Sequence, residues 1–135
     1  MINVFSRDQA IEYGYRINEY YISILPTGGP KGIPIFEDAS NVLTLIFDDV
    51  EKDCVKSTYP DGNIIRFAKA MTVTQAKQVA AFIKKLPKNY TLNINCVHGV
   101  SRGAAMAAAI DNTENPQAGN KLVYDLVKRE INGIS

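Results

Sequence analysis

The sequence has little of what metal centres and disulfide frameworks are built from. It contains one histidine, His98, two cysteines, Cys54 and Cys96, and no tryptophan. Two cysteines cannot form a disulfide framework, and one histidine with two distant thiols is a poor set of metal ligands. We therefore expect neither a metal site nor a cofactor. Cys54 is interpreted as a packed residue, and the alternative is a resolving thiol for an oxidised Cys96.

The chain also lacks an excess of charge of either sign and any long hydrophobic run. Its 15 basic and 14 acidic side chains leave a net charge of +1, so no overall field attracts nucleic acid or a membrane surface. No run approaches the roughly 18 apolar residues of a membrane span. Residues 1–8 lack the basic and apolar segments of a signal peptide. We expect a cytoplasmic protein with neither nucleic acid nor membrane as a partner, and its oligomeric state stays open.

What is present is a pattern of alternating strands and helices, which predicts one α/β domain over residues 1–135. A chain of 135 residues, 46% of them hydrophobic, can hold one sizeable core and is too short for two. The alternation favours a central, mostly parallel sheet of about four to five strands flanked by helices on both faces. Strands are predicted at residues 2–5, 19–25, 41–47 and 90–95, and helices at residues 6–14, 72–86, 104–110 and 122–131.

Two segments have no clear regular pattern. Residues 26–34 contain three glycines and three prolines, which indicates a surface loop that either borders a site or only connects two elements. Residues 50–70 mix charged residues with Pro60, Asp61 and Gly62. They are predicted as loop with a short strand at residues 64–67.

Acidic and thiol side chains follow two of the predicted strands. The nearly continuous apolar run at residues 41–47 predicts a strand buried on both faces of the sheet, and it ends in Asp48 and Asp49. The strand at residues 90–95 ends at Cys96. Ligand sites in such sheets lie beyond the carboxyl ends of the strands. We therefore expect these three side chains at the ligand-binding edge.

The segment from Cys96 to Arg102 carries the chemistry. A cysteine, five residues and an arginine stand between the last strand and an alanine-rich helix. A strand that turns sharply into a helix aims backbone N–H groups and the positive end of the helix dipole at one point, which binds anions and stabilises a thiolate. The Arg102 guanidinium can donate two N–H hydrogen bonds at once to two oxygens of a phosphate. Gly99 permits the close backbone approach.

Together these residues resemble the phosphate-binding loop of the cysteine-dependent protein tyrosine phosphatase superfamily. The order of elements, the run Phe47-Asp48-Asp49 and the alanine-rich helix after Arg102 are most similar to small dual-specificity-like phosphatase-like proteins of bacteria and phages. The likeness covers most of the chain, although only the loop is specific. It implies a protein tyrosine phosphatase-like fold.

The resemblance implies a phosphomonoester hydrolase, either a protein tyrosine phosphatase or a dual-specificity phosphatase. Cys96 would attack phosphorus to form a cysteinyl phosphate, and Arg102 would stabilise the equatorial oxygens without a metal ion. The partner would be a phosphorylated protein or another phosphomonoester. His98 either contacts substrate at the pocket rim or faces solvent. The residues implied in substrate binding are Val97, His98, Gly99, Val100, Ser101 and Arg102.

A carboxylic acid must protonate the departing ester oxygen, and the resemblance places it after the strand at residues 41–47. Asp49 is the first candidate and Asp48 the second, while Asp53 and Asp61 remain open. Paired aspartates at the end of a strand also cap turns or helices, so a structural role for either one stays an alternative.

Two positions that support the loop depart from the family pattern. The residue before the cysteine, usually histidine, is Asn95, which can hydrogen-bond the loop backbone but brings no cation. The residue after the arginine, usually serine or threonine, is Gly103, so no hydroxyl assists the second step. We expect slow hydrolysis of the phosphoenzyme, and Gly103→Ser is expected to quicken it.

Three functions therefore compete. The leading one is the phosphatase, with its preference between phosphotyrosine and phosphoserine or phosphothreonine left open. The second is a catalytically weak module that binds phosphate or a phosphopeptide, which Asn95 and Gly103 favour. The third is a rhodanese-type sulfurtransferase, since those enzymes also hold a cysteine between a strand and a helix. The absence of a second basic residue between Cys96 and Arg102 argues against a phosphoinositide specialist.

Overall fold

The computed structural model describes residues 1–133. Strands and helices are interspersed along the chain, and a short 3₁₀ turn, Pro30–Gly32, lies in the loop rich in glycine and proline. The elements are β1 (Ile2–Phe5), α1 (Arg7–Tyr13), β2 (Tyr20–Leu25), β3 (Val42–Ile46), β4 (Cys54–Thr58), β5 (Ile64–Ala68), α2 (Val73–Lys84), β6 (Leu92–Asn95), α3 (Arg102–Asp111) and α4 (Lys121–Ile131).

The central sheet has four strands in the order β1-β6-β2-β3, and every neighbouring pair is parallel. This confirms the predicted fold class of a central parallel sheet flanked by helices. The strand that leads to Cys96, β6, lies between β1 and β2, and all four of its residues are buried. The cysteine loop therefore starts from the rigid interior of the sheet.

Helices cover both faces of the sheet. On one face, α3 packs against β1 and β6, while α4 packs against α2 and α3. The apolar residues between them form the main core, with Ile22, Ile94 and Met106 fully buried. The other face is covered by α1 and by the segment around Phe36, which packs on Tyr21.

Capping boxes fix the starts of two helices, as the sequence predicted. The Ser6 hydroxyl accepts a hydrogen bond from the Gln9 backbone while the Gln9 side chain accepts one from the Ser6 backbone, and α1 begins after Ser6. Thr72 and Gln75 form the same pair at the start of α2. Each box satisfies N–H groups that have no partner inside the helix.

Two predictions about the middle of the chain were wrong. The strand β3 is an edge strand that pairs only with β2 in the described chain. It is not buried on both faces, because Leu45 is the one buried residue of the five and Ile46 is 52% exposed. Residues 54–58 form a strand rather than loop, because β4 pairs antiparallel with β5 in a separate two-stranded hairpin. Most of β4 is exposed, so it lacks the hydrophobic alternation that marks a half-buried strand. The short strand predicted at residues 64–67 is confirmed as β5.

The helices described between residues 1 and 133 are all too short or too polar to cross a membrane.

Candidate anion-binding site with a thiol

The loop between β6 and α3 wraps around the sulfur of Cys96. Its Sγ atom accepts hydrogen bonds from the backbone N–H groups of Gly99, at 3.2 Å, and of Gly103, at 3.3 Å. Gly99 has φ of +79°, and a Cβ atom there would lie 2.9 Å from the backbone of Phe5 and Ser6. The tight turn that aims both N–H groups at the sulfur therefore requires glycine. Donors in this arrangement stabilise negative charge on sulfur.

Arg102 begins α3, and its guanidinium is buried beside the same loop. The residue is 5% exposed, and its Nη1 donates to the backbone oxygen of Phe47 at 2.7 Å. Within residues 1–133 its buried Nε atom has no hydrogen-bond partner. A buried charged donor without a partner is costly. The side chain is thus held through Nη1, lines the cleft, and keeps one donor unused.

A cleft of about 730 Å³ opens above this loop. Its walls come from four segments: the Gly- and Pro-rich loop, the two aspartates after β3, the β4–β5 hairpin, and the cysteine loop itself. Cys96 is 2% exposed and lies beneath the loop rather than in the cleft wall. The residues that line the cleft are Pro26, Thr27, Gly28, Gly29, Pro30, Lys31, Asp48, Asp49, Lys56, Ile65, Arg66, Val97, His98 and Arg102.

Asp49 faces this cleft and is tied to the cysteine loop. Its Oδ1 atom accepts hydrogen bonds from the Ser101 hydroxyl at 2.7 Å and from Asn120 Nδ2 at 2.9 Å. The side chain is exposed, and these two bonds both reach the same oxygen. The other oxygen, Oδ2, is left to carry a proton or to contact a ligand.

Asp48, next in sequence, has a different environment. It is 3% exposed, and its carboxylate accepts four hydrogen bonds, from the Thr27 backbone and hydroxyl, the Lys69 backbone and Arg66. Burial alone would raise the pKa of Asp48, but the bonds from Thr27, Lys69 and Arg66 together lower it. Asp48 is therefore held ionised, which suits a structural crosslink and does not suit a proton donor.

The remaining candidate acids lie in turns outside the cleft. Asp53 accepts a hydrogen bond from the Ala70 backbone. Asp61 accepts two from Asn63 at the tip of the β4–β5 hairpin. Neither residue lines the cleft. Both aspartates stabilise local backbone, which is the usual role of this side chain in turns.

The predicted loop residues divide into three groups. Val97 and the exposed His98 line the cleft. Val100 is 59% exposed and does not line the cleft. Ser101 bonds Asp49 through its hydroxyl. The loop thus reaches the cleft through its first half and through Arg102.

Asn95 and Gly103, the two positions at which the resemblance implied other side chains, lie directly around Cys96. Asn95 is buried, and its Nδ2 atom has no hydrogen-bond partner in the part of the chain that the structure describes. This nitrogen therefore makes no hydrogen bond to the loop backbone in residues 1–133, although the sequence allowed one. A Cβ atom on Gly103 would lie 3.3 Å from Cys96 Sγ and 3.4 Å from Val4. A side chain at this position would contact the sulfur directly.

Sequence reasoning missed several residues of the site. Asn120 caps α4 through Oδ1 and donates Nδ2 to Asp49, and its place before a predicted helix is a signal that could have indicated it. Lys31, Lys56 and Arg66 enter the cleft from segments far from Cys96 in sequence. Thr27 and Arg66 bind Asp48 across the fold. No local sequence pattern predicts such long-range contacts.

Across residues 1–133, no group of three or more histidine, cysteine, aspartate or glutamate side chains is placed to hold a metal ion. Both cysteines are free thiols.

Comparison of the chain with protein-family models, with curated proteins and with solved structures gave no match.

Proposed function

We propose that this protein is a phosphomonoester hydrolase, a protein tyrosine or dual-specificity phosphatase, acting through a cysteinyl-phosphate intermediate. One observation carries the proposal. Two backbone N–H groups converge on Cys96 Sγ, while Arg102, at the end of the same loop, keeps a buried Nε that has no hydrogen-bond partner within residues 1–133. A nucleophile and an unsatisfied cationic donor beside one cleft suit a bound phosphate dianion.

In the first step the Cys96 thiolate attacks phosphorus in line with the ester oxygen. The S–P bond forms as the P–O bond to the leaving group breaks, and the electron pair goes to the departing oxygen. Arg102 and the loop N–H groups stabilise the charge on the equatorial oxygens. Protein groups can supply this stabilisation, so the proposal needs no metal ion or cofactor.

Asp49 is the proposed general acid. Because Oδ1 already accepts bonds from Ser101 and Asn120, the proton of the neutral acid belongs on Oδ2. Transfer of that proton to the leaving oxygen gives a neutral alcohol or phenol and leaves Asp49 ionised. The ionised Asp49 can then accept a proton from the attacking water in the second step. Water attacks phosphorus, the S–P bond breaks, and the Cys96 thiolate and inorganic phosphate are released.

The proposed partner is a phosphorylated protein, and the proposed compartment is the cytoplasm. A cysteine nucleophile must remain reduced, and cytosolic thiols are kept so. Both cysteines are free in the structure, which is compatible with this compartment.

Hydrolysis of p-nitrophenyl phosphate by the purified protein, with chelator present, tests the proposal. We expect release of p-nitrophenol, and Cys96→Ser is expected to abolish it because serine is a far weaker nucleophile here. Arg102→Lys is expected to lower kcat/KM by about 10² or more, since it loses the bidentate geometry. Activity that survives in Cys96→Ser, or that disappears with chelator, would refute the mechanism.

A second function, a phosphate- or phosphopeptide-binding module with weak catalysis, is favoured by the surroundings of the thiol. Cys96 is 2% exposed, the Asn95 amide nitrogen beside it makes no hydrogen bond in residues 1–133, and Gly103 has no hydroxyl to offer the sulfur. Tight phosphopeptide binding without turnover would favour this module. Thiocyanate formation from thiosulfate and cyanide would instead favour the sulfurtransferase.

A further inference from the structure

The cleft is far larger than the phosphate group that the proposed reaction needs. Its volume is about 730 Å³, and Arg102 and the cysteine loop form only one part of its wall. The rest of the wall comes from the segment Pro26 to Lys31, from Asp48 and Asp49, and from the hairpin residues Lys56, Ile65 and Arg66. The outer cleft must therefore contact the part of a substrate that surrounds its phosphate.

Two positive charges in the outer cleft have no acidic partner. Lys31 lies on the loop wall and Lys56 on the hairpin wall, and both residues are exposed. The ion pairs found in residues 1–133 join Arg16 to Glu19, Arg66 to Asp48 and Lys77 to Glu130, so neither lysine takes part in one. Unpaired lysines on two segments of one cleft wall attract negative groups.

The other charges of the cleft are already engaged. Arg66 and Asp48 neutralise one another at 3.0 Å. The Asp49 oxygen Oδ1 is held by Ser101 and Asn120. Once a phosphate occupies Arg102, the two lysines are the unpaired positive charges left in the cleft wall. The chain has a net charge of only +1, so this positive surface is local.

The uncharged part of the lining fits a peptide better than a nucleotide. Apart from His98, whose ring is the one aromatic group of the lining, it consists of Pro26, Pro30, Ile65 and Val97 with Gly28, Gly29 and Thr27, and it includes no phenylalanine, tyrosine or tryptophan. Stacking on aromatic side chains is the usual way in which proteins hold bases. Small aliphatic surfaces between two walls instead accommodate an extended chain.

We propose that Lys31 and Lys56 form a second anion subsite, which binds acidic side chains flanking the phosphorylated residue of a protein substrate. The inference rests on the proposed function for the position of the phosphate, and it adds the substrate class. The phosphate binds at Arg102 while aspartate or glutamate neighbours pair with the lysines across the outer cleft. Such pairs contribute modest affinity and stronger selection between substrates.

Paired phosphotyrosyl peptides test the subsite. One peptide carries aspartate and glutamate around the phosphotyrosine, and the other carries asparagine and glutamine at the same positions. Affinities are measured with Cys96→Ser, which retains the cleft, and kcat/KM is measured with the unaltered protein. We expect the acidic peptide to bind about tenfold more tightly, and its advantage to shrink when salt is raised, because exposed charges are screened.

Variants of Lys31 and Lys56 test whether these two side chains cause the preference for the acidic peptide. Lys31→Gln and Lys56→Gln, each made in the Cys96→Ser background, are expected to reduce the acidic-to-neutral affinity ratio by about threefold each. Lys69→Gln is the matched control: its ammonium lies over the Phe67 ring on the same hairpin and does not line the cleft. The ratio is expected to be unchanged in Lys69→Gln.

The outcomes separate this inference from the proposed function. Equal affinity for the two peptides, or equal loss in Lys56→Gln and Lys69→Gln, overturns the subsite even when both peptides are hydrolysed. A clear preference for the acidic peptide without any turnover supports the subsite and overturns the enzyme. Binding of Cys96→Ser to phosphoinositide-containing vesicles in preference to both peptides overturns the choice of a protein substrate.

Discussion

Asp48 and Asp49 are adjacent in sequence but have opposite environments. The Asp48 carboxylate is buried under four hydrogen bonds, whereas Asp49 is exposed and keeps Oδ2 free of the bonds that hold Oδ1. The sequence predicted that both aspartates follow the strand at residues 41–47, and it favoured Asp49 as the general acid. It could not separate their roles physically, because the groups that distinguish them, on Thr27, Arg66 and Asn120, come from distant parts of the chain.

The role of Asp49 predicts a dependence on the leaving group. A phenol without a nitro group is a poor leaving group and needs the proton, whereas p-nitrophenolate departs more easily without it. Asp49→Asn is therefore expected to lower kcat/KM, which reports the steps up to the cysteinyl phosphate, by about 10² for phenyl phosphate and by clearly less for p-nitrophenyl phosphate. Steady-state kinetics with both esters measure the difference. Asp53→Asn, at a turn outside the cleft, is the control and should change neither rate. An equal loss for both esters in Asp49→Asn would show that Asp49 is not the general acid.

At the scale of elements, the junction of β6 and α3 does most to build the site. The apolar strand and the alanine-rich helix were predictable from their periodicity, and so was the anion-binding geometry of the turn between them. The contacts of Gly103 were not predictable from the sequence, because they depend on how closely α3 approaches β1 and the sulfur. Gly103 N–H bonds Sγ, and Val4 of β1 lies on the other side.

This junction allows a direct test of slow phosphoenzyme hydrolysis. Gly103→Ser places a hydroxyl beside Sγ, where it can donate to the departing thiolate. A hydrogen bond to a charged group stabilises it by roughly 1.5 kcal/mol, so hydrolysis of the intermediate is expected to quicken about tenfold. Burst-phase kinetics with p-nitrophenyl phosphate measure this step as a smaller burst and a faster steady rate.

Gly103→Ala is the matched control for that experiment. It adds the same Cβ atom, 3.3 Å from Sγ and 3.4 Å from Val4, and therefore the same crowding, but no hydroxyl. We expect no acceleration in Gly103→Ala. The absence of a burst in the unaltered protein would mean that the intermediate does not accumulate, and the idea of a slow second step would then be abandoned.

For the whole molecule, the sequence predicted those parts of the fold that depend on local pattern. The parallel sheet, both capping boxes and the position of Cys96 at a strand end follow from periodicity and capping residues. The edge position of β3 and the β4–β5 hairpin do not follow from local sequence pattern. An apolar run such as residues 41–47 is the same in a central and an edge strand, and only the packing of the whole chain decides between them.

Asp48 connects parts of the molecule that otherwise have little in common. It follows β3 of the central sheet, accepts bonds from Thr27 in the Gly- and Pro-rich loop, and binds Arg66 and the Lys69 backbone at the hairpin. The hairpin is a separate sheet, and most of its residues are exposed. One buried carboxylate therefore braces two walls of the cleft against the sheet.

This brace predicts how stability depends on pH. Because the pKa of Asp48 is lowered in the folded protein, the carboxylate contributes stability above the pKa of the unfolded state, about 3.9 for aspartate. That contribution is lost as the pH falls through the lower folded pKa. Asp48→Asn is expected to lower the free energy of unfolding by about 2 kcal/mol at pH 7, and the gap between the two proteins should narrow below about pH 4. Urea denaturation at several pH values measures it.

Hydrogen exchange can show which strands lose stability when the Asp48 carboxylate is removed. Without the carboxylate, the hairpin keeps its own ladder but loses its attachment, so amides of β4 and β5 are expected to exchange faster in Asp48→Asn. Amides of β2 and β6, which lie inside the central sheet, should exchange at nearly unchanged rates under native conditions. Thr27→Ser, which keeps the hydroxyl that donates to Asp48, is the conservative control and should resemble the unaltered protein. Uniform acceleration across all strands would show that Asp48 supports the fold globally rather than the walls of the cleft.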